Sequence, residues 1–129
     1  MKSNKLFWAL ALALAVMFGM QQLQAADGVD VKQASSMSKQ GALLLDVREQ
    51  EEYAAGHAPN AQLIPLGQLG ARLPEIAAYK DKPIVVMCRS GRRSAKAVAL
   101  LQEAGYSQVS NVKGGIQAWE GEGLEVVKM

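Results

Sequence analysis

The sequence predicts an α/β fold, a three-layer sandwich of about five mainly parallel strands with helices on both faces. Two observations carry this expectation. Short runs that are apolar almost throughout, residues 42–47 and 84–87, suit strands buried on both faces of a parallel sheet rather than half-exposed ones. Between such runs lie stretches with apolar residues at helical spacing, separated by glycine and proline turns. The 129 residues leave room for one domain.

Taken in order, Lys2 and Lys5 precede an apolar run over residues 6–20, followed by Gln21, Gln22, Ala25 and Ala26. This pattern reads as a secretory signal peptide over residues 1–25, with cleavage after Ala25 and a mature domain over 26–129. The apolar run is short for a membrane span, which needs about twenty residues, so an uncleaved anchor is the alternative and the chain's one link to a membrane. An exported, periplasmic location is the expectation. Removing residues 1–25 takes away two of the 14 basic side chains and none of the 12 acidic ones, which leaves a neutral domain. Four of its cations, Arg89, Arg92, Arg93 and Lys96, crowd into one stretch. Such a local charge is unlike the extended basic face of a nucleic-acid binder.

Residues 31–40 predict a short, weak helix. Residues 42–47 form a strand with Asp46 at its carboxyl end, and 49–55 a helix that stops at Gly56. Residues 57–60 turn, and 61–65 give a second short strand. Over 66–79 the apolar positions 66, 69, 73, 76 and 77 have helical spacing, but Gly67, Gly70 and Pro74 break it into one interrupted helix or two short ones. Residues 84–87, with an isoleucine and two valines, are the most strand-like and belong at the sheet centre. A helix over 94–104 ends at Gly105, residues 106–112 form a last strand, and Gly114-Gly115 turns the chain into a short helix over 116–119. The tail from 124 to 129 is expected as a loosely paired edge.

The stretch that carries chemistry is Cys88-Arg89-Ser90-Gly91-Arg92-Arg93-Ser94, between the central strand and the helix that follows. Ligands of parallel sheets bind beyond the carboxyl ends of the strands, where Cys88 and Asp46 both fall. Cys88 is the only cysteine, so no intramolecular disulfide forms. A free thiol with a pKa of about 8.5 is mostly protonated at neutral pH. Lowering it by about 1.5 units takes roughly 2 kcal/mol, within the reach of a helix N-terminus plus nearby guanidinium groups. No histidine base is needed, and His57, the only histidine, reads as a turn-stabilising group. One cysteine and one histidine argue against a zinc site, and no cofactor is expected.

Three separated blocks extend this reading: Leu45-Asp46-Val47-Arg48-Glu49 with Glu52-Tyr53, Gly56-His57-Ala58, Ala61 and Ile64-Pro65; the loop from Cys88 to Ser94; and Gly105-Tyr106, Val109 and Gly114-Gly115 with Trp119. In this order they resemble a single-domain rhodanese, here in an exported form, from the rhodanese-like sulfurtransferase family. The resemblance implies that Cys88 attacks a sulfane sulfur donor such as thiosulfate and holds the sulfur as a persulfide. The sulfur then passes to cyanide, a small thiol or a protein cysteine. Backbone N–H groups of residues 89–93 would cradle the outer sulfur. Arg89, Arg92 and Arg93 would attract the anionic donor, and Ser90 and Ser94 would bond the sulfur or cap the helix, with capping the expected role of Ser94. Asp46 and Arg48 are expected as a supporting ion pair that reaches a loop arginine, and Tyr53 and Trp119 as packing residues.

Three other readings remain at this level. A cysteine-dependent phosphatase would need five residues between cysteine and arginine, and position 94 is a serine. A non-catalytic rhodanese-like binding module has no use for the cysteine kept here. Thiol redox chemistry lacks a resolving cysteine in the chain.

Overall fold

A computed structural model describes residues 28–129, so the leader and its cleavage point lie outside the described residues. Strands β1 (Leu43–Asp46), β2 (Gln62–Leu63), β3 (Ile84–Met87) and β4 (Val109–Asn111) form one sheet, ordered β2-β1-β3-β4 and parallel throughout. The helices are α1 (Val31–Lys39), α2 (Gln50–Ala55), α3 (Leu66–Leu69), α4 (Arg92–Glu103) and α5 (Gly115–Gly121), with a 3-10 segment at Leu73–Tyr79. The expected α/β sandwich is therefore present.

Among the described residues the sheet has four strands where about five were expected. What remains of a fifth is one bridge, in which Val29 pairs parallel with Val112 beside β4. The tail is an edge with one antiparallel bridge, His57 with Val127, and further bonds from Trp119 Nε1 to Glu125 O and from Met129 N–H to Ala54 O. Residues 66–79 do break in two, as Gly70 and Pro74 required. Helix α4 starts at Arg92, two residues before its expected first residue, because Gly91 adopts φ 114° and turns the chain directly into the helix.

Side-chain alternation along the strands splits the core into two layers. Leu43 and Leu45 of β1 and Ile84 and Val86 of β3 face Leu69, Ile76, Ala97 and Leu101. Leu44, Val85 and Met87 face the other way, onto Val31, Ala34, Ile116 and Trp119. Continuing the same alternation by one residue places Cys88 in the first layer, under the start of α4. The register Asp46 to Met87 brings the end of β1 level with the end of β3, so both strands deliver their polar residues to one rim.

Candidate active site

At the end of β3 the chain turns through Cys88 to Gly91, and the positive φ of Gly91 aims its N–H back at the sulfur. That N–H lies 3.0 Å from Cys88 Sγ. The Ser94 hydroxyl lies 3.3 Å from it on the other side. Cys88 is 1% exposed, whereas Arg89, Ser90 and Arg92 are exposed at the mouth of the loop. Burial pushes the thiol up, but the Ser94 hydroxyl and the backbone N–H groups of Ser94, Gly91 and Ser90 outweigh it and bring Cys88 below its ordinary value. The N-terminus of the 12-residue α4 adds its positive end at the same point.

The loop keeps this shape because its carbonyls are held from behind. Ile116 N–H donates to Cys88 O at 2.9 Å and Gln117 N–H to Arg89 O at 3.2 Å. Bonding these carbonyls to α5 leaves the N–H groups free to face the thiol. So close an approach requires a residue without a side chain at 115, since a Cβ on Gly115 would stand 2.6 Å from Arg89 O, and its φ of 55° is also left-handed. The Gly114-Gly115 pair is thus part of the site rather than a simple turn.

Three residues stand elsewhere than expected. Ser94 does not cap α4: it lies in the helix's first turn, fully buried, and donates to Asn111 Oδ1 at 2.6 Å. Gly91 occupies the cap position, since its backbone alone can make that turn. Arg93 is drawn away by Glu52 of α2, with bonds of 2.6 and 2.8 Å to the two carboxylate oxygens. The Glu52 carboxylate lowers to about 2 through that hydrogen bond, and Arg93 rises in turn. Arg89 and Arg92 form no ion pair among the described residues.

Asp46 and Arg48 form the expected buried pair, Nη2 to Oδ2 at 2.7 Å. The pair does not reach a loop arginine, because Arg48 spends its remaining donors on the carbonyls of Glu52 and Gly56 and so ties β1 to α2. His57 stabilises its turn as expected. Its Nδ1 donates to Tyr53 O at 2.8 Å, and its ring stacks on Tyr53 at 3.7 Å. Trp119 packs in the second core layer, with its indole N–H on Glu125 O.

Two residues that meet the loop were given no role in the sequence reading. Glu52 lies on another element, 41 positions from Arg93, so sequence distance hid the pairing. Asn111 ends β4, next to β3 in the sheet; a polar residue at that carboxyl end was the available signal. Among the described residues no cluster of three His, Cys, Asp or Glu side chains is placed to hold a metal.

Comparison with known proteins agrees with this architecture. The family profile described as the rhodanese-like domain matches residues 30–122. A protein named sulfurtransferase from Allochromatium vinosum is 44% identical over 85 residues, which is 66% of this chain and 78% of that protein. Thiosulfate sulfurtransferase GlpE from Pseudomonas fluorescens is 36% identical, over 67% of this chain and 77% of its own length. A crystal structure of a rhodanese-related protein from Thermoplasma volcanium superposes with a TM-score of 0.72 at 33% identity, covering 79% of this chain and 98% of the other. A human single-domain sulfurtransferase gives 0.66 at 28% identity, covering 74% and 96%. With the profile spanning most of the chain and the sheet, loop and helices in matching order, this chain belongs to the rhodanese-like sulfurtransferase family.

Proposed function

We propose that this sulfurtransferase moves a sulfane sulfur from an anionic donor such as thiosulfate to a thiophilic acceptor through a persulfide on Cys88. The observation that carries the reading is a lone thiol lowered by N–H groups that converge on its sulfur. The Cys88 thiolate attacks the outer sulfur of thiosulfate, the S–S bond of the donor breaks, and sulfite leaves with the bonding pair. The outer sulfur of the resulting persulfide carries the negative charge, and the inward N–H groups of the loop suit an anion at that point. Cyanide or a thiolate then attacks the outer sulfur, and the Cys88 thiolate departs. Arg89 and Arg92 draw the donor in and offset the charge of the leaving sulfite. Arg93, paired with Glu52, ties the start of α4 to α2 beside the loop rather than meeting the donor.

Export to the periplasm belongs to the same proposal, supported by Lys2, Lys5 and the apolar run behind them, with residues 1–25 removed and 26–129 as the working domain; retention as a membrane anchor is the competing outcome. Cell fractionation with N-terminal sequencing decides between them. For the chemistry, the protein incubated with thiosulfate gains the mass of one sulfur at Cys88 and forms thiocyanate when cyanide is added. Cys88→Ser abolishes both; full turnover by that variant would refute the reading.

A further inference from the structure

Asn111 takes no part in the steps above, yet its side-chain amide is bonded at both ends inside the sulfur site. Nδ2 donates to Gly91 O at 3.2 Å, and Oδ1 accepts from Ser94 Oγ at 2.6 Å. The orientation follows from the partners, because a carbonyl only accepts and so must face the amide NH2. Oδ1 has no proton to give, so the single proton of Ser94 lies on the Asn111 side. The second contact of Ser94, 3.3 Å to Cys88 Sγ, is then made with a lone pair. In that state the hydroxyl accepts from the Cys88 S–H and has nothing to offer a thiolate.

Resting on the sulfur-transfer reading, we propose that Asn111 is a positioning residue that competes with Cys88 for the Ser94 proton, so that the Ser94 hydrogen bond reverses with the charge on Sγ. In the thiol form Sγ–H donates to Oγ, and Oγ–H donates to Oδ1. When the thiol releases its proton to solvent, the Ser94 O–H turns to Sγ and Oδ1 loses its donor. When sulfur is loaded, the charge moves to the outer sulfur, Sγ becomes neutral and divalent, and the Ser94 proton returns to Asn111. No proton other than that of the thiol leaves the site. The pair therefore disfavours the bare thiolate relative to the persulfide and biases the site towards its sulfur-carrying form.

The charged groups on the elements that meet at the site are Arg89, Arg92 and Arg93 on the loop and α4, Glu52 and Glu49 from α2 and its cap, which face Arg93, and the closed Asp46–Arg48 pair at the end of β1. From the β4 and α5 side, Asn111, Gly115, Ile116 and Gln117 bring no charge. All these charges stay in place in a variant that loses only the Oδ1 acceptor, so its titration reports the hydroxyl.

The test is the pH dependence of Cys88 alkylation by iodoacetamide in the reduced full chain, with thermal denaturation to confirm folding. Asn111→Leu frees the Ser94 proton and lowers the midpoint by about half to one pH unit, roughly three- to tenfold in thiolate fraction below the midpoint. In a Ser94→Ala background the same substitution leaves the midpoint where it was. Asn111→Asp keeps an acceptor but adds a charge near the sulfur, so it raises the midpoint by a part that persists in the Ser94→Ala background and a part that is lost there. An unchanged or raised midpoint in folded Asn111→Leu, or an equal fall without Ser94, overturns the proposal. If Asn111→Leu does not fold, the Asp variant decides: a rise that persists in full without Ser94 overturns it. Thiosulfate loading of the unsubstituted protein is measured separately, so a failure of sulfur uptake and a failure of the Asn111 coupling are distinct results.

Discussion

Cys88 sits almost out of solvent, and the residues that make its burial tolerable come from three directions: the loop's own N–H groups, Ser94 within α4, and α5 behind the loop. Side-chain cations divide into two kinds. Arg92 is exposed and without an acidic partner among the described residues, so Arg92→Ala is expected to raise KM for thiosulfate several-fold, about 1 kcal/mol, while a neutral sulfane donor is little affected. Equal loss with both donors would remove Arg92 from donor recognition. Arg93→Ala has a wider effect, because it also strands Glu52, whose carboxylate is held by Arg93 and by Glu49 N–H. Its cost of about 1–3 kcal/mol is expected in urea unfolding as well as in turnover with either donor. That distinction was illegible in the sequence. The absence of an acid between Asp81 and Glu103 made all three loop arginines look alike, and the acid that separates them arrives from a distant helix.

Among the elements, α5 has the least conspicuous sequence and a direct hold on the site. Its first N–H groups bind the carbonyls of Cys88 and Arg89, and Gly115 allows the contact. Gly115→Ala is expected to destabilise the fold by about 1–3 kcal/mol, through the strained φ and the overlap with the Arg89 carbonyl. It should also raise the Cys88 midpoint, since the loop N–H groups lose their aim. A urea midpoint shift without a change in alkylation would separate stability from loop shape and remove α5 from the site. Residues 114 and 115 were legible as a turn, because adjacent glycines announce positive φ. Their approach to the loop was not, because nothing local tells a glycine needed for its backbone angle from one needed for its missing side chain. The shortened β4 has a similar cause: only Val109–Asn111 lies alongside β3, although a strand was expected over 106–112.

At the scale of the whole molecule, the two core layers meet at the central strands. Leu44→Ala on β1 is expected to cost about 2–5 kcal/mol, a large share of the stability of a domain this size, read from urea or thermal unfolding. Acid acts through the Glu52–Arg93 link between α2 and α4. The folded carboxylate is depressed from 4.5 to about 2, so its contribution is fully present above 4.5 and is lost as pH falls towards 2. Unfolding midpoints of the unsubstituted protein should therefore converge with those of Glu52→Gln across that window. A gap that stays constant down to pH about 2 would show that the charge on Glu52 is not what the pair contributes.

The sequence by itself determined the layer order, the buried central strand, the placement of the only thiol at the carboxyl rim and the family, because periodicity, turn residues and the spacing of the three blocks are local or ordered properties of the chain. Tertiary structure alone decided which loop arginine is paired with an acid, why Gly115 must be glycine, that Ser94 serves the sulfur rather than the helix end, and that Asn111 holds the other side of the Ser94 hydroxyl. Each of these depends on a hydrogen bond or contact between elements far apart in sequence, made only once the parallel sheet brings their ends to one rim.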